Sequence, residues 1–69
     1  RKIEKERPLI KRLLKLTPEN PQVLRLAVQV AGILKDKEMS SNVLDLMSVY
    51  NKDALPLAEK FIDNAFNSN

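Results

Sequence analysis

Cysteine and histidine are both absent from this 69-residue chain. Without cysteine there is no disulfide to staple a small fold and no thiolate nucleophile. Without histidine the Ser–His and Cys–His pairs are excluded, and a zinc ion would have carboxylates alone to bind it. A single glycine, Gly32, cannot supply a phosphate-cradling loop, so nucleotide folds built on glycine-rich turns are excluded as well. Tryptophan is missing, and one Tyr with two Phe is too few to interleave with cations as a base-stacking platform. No apolar run approaches the ~18 residues of a membrane span, because Arg25 and Gln29 interrupt the best one. A signal-peptide pattern is also absent from the start. The expectation is a soluble, intracellular protein of cytoplasm or nucleus. Because it starts at Arg1 without Met, it reads as an excised piece of a longer chain.

Acidic residues are present but dispersed. Asp36 and Glu38 lie on a Lys-rich connection, while Asp45, Asp53 and Glu59 fall on separate predicted elements, so no carboxylate pair is placed for acid–base work. No catalytic, cofactor-binding or metal-binding residue is expected, and the chain is read as a non-enzyme. The formal charge of +3 is unevenly spread. Arg1, Lys2, Lys5, Arg7, Lys11, Arg12 and Lys15 against Glu4 and Glu6 give the first fifteen residues a net +5, whereas the remainder carries −2. One end is therefore equipped to attract an anionic surface.

Apolar side chains recur at intervals of three and four, the helical period, and no segment alternates long enough to form a strand. Four helices are predicted, over residues 8–16, 21–34, 39–50 and 54–66. In the first, Leu9, Leu13 and Leu16 line up, flanked by Ile10 and Leu14, with Lys11, Arg12 and Lys15 outward. Pro8 suits its first turn, would kink any helix running on from the N-terminus, and the residue before Pro18 should end it. The second begins at an Asn20 cap followed by Pro21. Its polar positions, Gln22, Arg25, Gln29 and Gly32, form one narrow stripe; the rest of its girth is Val, Leu, Ile and Ala. A helix so apolar needs neighbours on at least two sides, and Gly32 marks either a close helix–helix approach or an early end.

Residues 35–38 form the expected loop to the third helix, short enough for antiparallel neighbours. That helix should present Met39, Val43, Leu46, Met47 and Tyr50 on one face. The fourth, capped by Asp53 with Pro56 in its first turn, should align Ala54, Leu57, Ala58, Phe61, Ile62, Ala65 and Phe66. The last residues, 67–69, should fray.

Two heptapeptides share a register 48 residues apart: Pro8-Leu9-Ile10-Lys11-Arg12-Leu13-Leu14 and Pro56-Leu57-Ala58-Glu59-Lys60-Phe61-Ile62. That offset is close to the ~40–47 residues of HEAT and armadillo repeats. Asn20-Pro21-Gln22-Val23 with Ala27, Gln29, Gly32 and Leu34 resembles the second helix of a HEAT repeat, and Asp53-Ala54-Leu55-Pro56-Leu57 resembles the opening of an armadillo helix. A tetratricopeptide-like pairing around residues 34–39 is the second choice. Leu24 stands where HEAT repeats place a basic residue, and Asp53 replaces the armadillo Gly. Ile33 occupies the place of the armadillo Asn that reads a bound backbone, so that mode of recognition is not carried over.

The resemblance implies an all-α fold of four short antiparallel helices packed as an α-solenoid-like unit, serving as a binding scaffold. Stacked units bury their apolar faces only against the next unit, and a chain of this size buries only ~60% of its unfolded surface by itself. The expected function is therefore non-catalytic binding of a protein partner, or of a second copy, through leftover apolar surface. Phe66, Phe61, Tyr50 and Met47 are the candidate contacts, with Phe66 as the expected exposed anchor. The alternative is a module associated with nucleic acid or another anionic surface through Lys5, Lys11, Arg12 and Lys15.

Overall fold

Helix accounts for nearly all of the computed structural model, which describes residues 2–68, and no strand occurs among them. Arg1 and Asn69, at the ends of the predicted basic segment and frayed tail, lie outside the described residues. A short helix α1 (Lys2–Lys5) precedes α2 (Arg7–Leu16), α3 (Pro21–Leu34), α4 (Lys37–Tyr50) and α5 (Leu55–Asn67), with a 3-10 turn at Lys52–Ala54.

Helix α3 starts as its residues dictate. Asn20 is extended (φ −75°, ψ 115°), and its side-chain oxygen accepts from the N–H groups of Gln22 at 2.9 Å and Val23 at 3.4 Å. Pro21 follows in the first turn, where its missing N–H costs nothing. The end is less expected. Lys35 adopts a left-handed conformation (φ 54°), its N–H donates to Gly32 O at 3.2 Å, and the Asp36 N–H donates to Ala31 O at 2.9 Å. This is the paired closure that glycine usually provides. Here a lysine bears the strain, and Gly32 lies inside the helix.

Asp36 then caps α4 at once, its Oδ1 accepting from the Met39 N–H at 3.0 Å. The expected loop over residues 35–38 is corrected to two residues: Lys37 and Glu38 already belong to the first turn of α4. The expected cap at Asp53 is also corrected. Asp53 sits in the 3-10 turn, and α5 starts after Ala54 with no side-chain cap, while Pro56 does occupy its first turn. Pro8 separates α1 from α2 at a turn on Glu6 rather than kinking one long helix. Thr17 closes α2, both its N–H and its hydroxyl donating to Leu13 O, just before Pro18.

Helix α3 packs against α1, α2, α4 and α5 and is the hub of the core. The buried apolar side chains are Ile10 and Leu14 from α2; Leu24, Ala27, Val28, Val30 and Ala31 from α3; Met39, Val43 and Met47 from α4; and Ala58 and Ile62 from α5. A radius of gyration of 11.0 Å equals the ~11 Å of a closed domain of this length, so no helix projects as a free arm.

Gly32 is buried, and a Cβ there would lie 2.7 Å from Phe61 Cε2 and 3.2 Å from the Ala65 Cβ. Of its two expected roles, the structure shows the close approach, with α5 on α3. The open arc of α3 is Gln22, Arg25, Leu26, Gln29 and Ile33, so Gly32 leaves the polar stripe and two apolar side chains join it.

One predicted face is displaced. On α2 the buried line is Ile10 and Leu14, while Leu9 and Leu16 are 55% and 69% exposed. The Leu9–Leu13–Leu16 line therefore sits one position off the core. On α4 and α5 the seams hold at Met39, Val43, Met47, Ala58 and Ile62, but Tyr50 and Leu57 point outward.

Candidate docking surface

Where α5 crosses α3, Phe61 and Ala65 close tightly over Gly32. Toward the start of α5 the same two helices leave a wedge-shaped groove of about 380 Å³. Its α3 wall is Arg25, Val28 and Gln29, its other wall is Ala54 of the 3-10 turn with Leu57, Ala58 and Phe61 of α5, and Met47 and Asn51 of the α4 end complete it. The space has a local cause. Ala54 and Ala58 present only methyl groups where larger side chains would fill the gap between the helices. Leu57, at the rim, is 74% exposed, the most open large apolar side chain of the described residues.

Arg25 is the one charged residue lining this groove, and it makes no ion pair among the described residues. An apolar floor, an apolar rim and one unpaired guanidinium form a surface suited to an apolar anchor with an adjacent anion. No oxyanion cradle or nucleophile–base pair lines it.

The expected docking residues are divided by the structure. Phe61 forms part of the groove at 40% exposure. Met47 also lines it but is 3% exposed, so its role is as floor and core rather than as free contact. Tyr50 is 51% exposed at the C-terminal end of α4 and does not line the groove. Phe66 is half-buried against the core, which corrects its place as an exposed anchor. Leu57 and Arg25 also line the groove, and the sequence pattern does not single them out as contacts. The pattern puts the first in the core seam and the second in the wet stripe. The signal in the sequence is the pair of small residues, Ala54 and Ala58, that line the same groove.

The cations are arranged differently. Lys11, Arg12 and Lys15 share one exposed arc of α2, while Lys5 stands on α1. A second groove, about 700 Å³, separates α2 from α4 and is lined by Lys11, Leu14 and Lys15 opposite Glu38, Met39, Ser41, Asn42 and Asp45. Lys11 Nζ lies 3.6 Å from Glu38 Oε1, both side chains being well exposed. The inner edge of the cationic arc thus meets carboxylates, and no aromatic lines it. Since Lys11 and Lys15 face α4, helical geometry puts Leu9, Leu13 and Leu16 on the opposite flank of α2.

One polar contact is structural. Arg7 Nε lies 3.3 Å from Asp36 Oδ2, with the aspartate side chain 13% exposed, and the buried Nε makes no hydrogen bond. This ion pair ties the start of α2 to the α3–α4 connection. No group of three potential metal-ligating His, Cys, Asp or Glu residues occurs among the described residues, and no helix there is long and apolar enough to cross a membrane.

Compared with known proteins, the chain matches no family model, no curated sequence and no solved structure.

Proposed function

We propose that this chain is a non-catalytic docking module that binds a protein partner in the wedge between α3 and α5. The observation that carries the reading is the wedge itself: a preformed apolar gap whose rim residue Leu57 is 74% exposed. Binding would work by shape. Rigid helices hold the gap open, apolar anchors enter it, and polar groups at the edge set orientation.

The helical-repeat kinship and antiparallel stacking belong to the same proposal. Two observations support it. The Pro-Leu echo extends to burial: Ile10 and Leu14 are buried in α2 as Ala58 and Ile62 are in α5, while Leu9 and Leu57 both point outward. The two-residue connection between α3 and α4 favours a reversal of chain direction.

The test is selection of ligands from an unbiased displayed-peptide library, followed by amide-shift mapping and a salt series. The expected ligands perturb Val28, Gln29, Leu57 and Phe61, depend shallowly on salt and are lost with Leu57→Asp. Ligands that instead perturb Lys11, Arg12 and Lys15, and weaken about tenfold for a few-fold rise in salt, would favour the anionic-surface alternative.

A further inference from the structure

We infer that the occupant of the wedge is an acidic amphipathic helix of a partner protein, with an apolar ridge seated between α3 and α5 and a carboxylate on Arg25. This rests on the docking reading above and names the chemistry of the partner. Among the recurring ways of holding a peptide, the fold selects one. Strand addition needs an open sheet edge, and no strand exists among the described residues. Polyproline capture needs an aromatic-lined groove, and Phe61 is the one aromatic lining this wedge. What the wedge offers is the space between two helices, and a third helix fills such a space by seating its ridge of side chains in the groove. The volume of about 380 Å³ is at the small end for a ligand cavity and suits a few apolar side chains better than an extended cofactor.

Charge chooses the flanks of that helix. Arg25 lines the wedge without a carboxylate partner among the described residues. Asp53 lies one turn before Leu57, in the 3-10 turn, and does not line the wedge. A second copy seated wedge to wedge would bring Arg25 against Arg25. An acidic helix supplies the carboxylate.

The experiment uses the full chain and three synthetic peptides of about sixteen residues, long enough to form helix. All have Leu at the same three- and four-residue spacing, with flanks of Glu, Gln or Lys respectively. Affinities are read by fluorescence anisotropy and contact sites by amide shifts. The Glu peptide should bind about tenfold tighter than the Lys peptide and perturb Arg25, Gln29, Leu57 and Phe61. Arg25→Glu should reverse that order, and Leu57→Asp should weaken all three about tenfold or more. Both positions are exposed, and circular dichroism checks that the variants keep their helix content.

Equal affinity for the three flanks would overturn the acidic preference and leave the docking reading standing. Absence of binding by every peptide up to about 1 mM would overturn both. Concentration-dependent shifts at the same amides without peptide would make a second copy the occupant and overturn the inference.

Discussion

At the residue scale the fold turns on two positions of opposite character. Gly32 is where Phe61 and Ala65 of α5 close on α3, and a methyl group there would stand 2.7 Å from the end of the Phe61 ring. Overpacking costs about 1–3 kcal/mol and improved helix propensity offsets about 1, so Gly32→Ala should destabilise the chain by roughly 1 kcal/mol. Urea unfolding measures this. Trimming the neighbour in Gly32→Ala/Phe61→Leu should recover part of the loss, because the two positions share one contact. Lys35 is the reverse case, a β-carbon held in left-handed backbone at the close of α3. Lys35→Gly removes about 1 kcal/mol of steric penalty and should raise the urea midpoint. The sequence shows Gly32 as a contact or a stop, and these two measurements probe each role at the residue that fills it.

At the scale of elements, the legible signals were those made of local chemistry. Asn20-Pro21 announces α3 because a side-chain acceptor and a ring with fixed φ are both local chemistry. Asp36 carries the same signal for α4, and the two lysines around it made it read as a solvated loop. The core face of α2 was not legible. Leu9, Ile10, Leu13, Leu14 and Leu16 cover a wide arc, and period alone does not say which line meets a neighbour. Burial of Ile10 and Leu14 accompanies the tether from Arg7 to Asp36, a long-range contact that no local pattern contains. That tether gives a prediction. Asp36→Ala removes the cap of α4 and the counter-charge of Arg7 together, and should cost about 1–2 kcal/mol in urea unfolding. Asp36→Asn keeps an acceptor for the Met39 N–H and loses only the charge. With Arg7 39% exposed, that loss should stay under about 1 kcal/mol.

At the scale of the whole molecule, α3 is enclosed by α1, α2, α4 and α5, yet keeps an open arc bearing Leu26 and Ile33. The apolar composition of this helix foretold its neighbours but not the gap beside it. The wedge depends on what Ala54 and Ala58 fail to fill across a distance of some thirty residues in sequence. Docking surfaces are set by such mismatches between elements, which is why Phe66 read as the anchor and Leu57 as core. Because Leu57 is 74% exposed, Leu57→Asp should leave stability within about 0.5 kcal/mol while weakening partner binding about tenfold or more. That separation of fold from binding is read by urea unfolding alongside anisotropy. The most direct measurement is a set of intermolecular nuclear Overhauser contacts between the chain and its selected ligand. Contacts from apolar ligand protons to Val28, Met47, Leu57 and Phe61 are predicted. Contacts confined to Lys11, Arg12 and Lys15, with none in the wedge, would contradict the account.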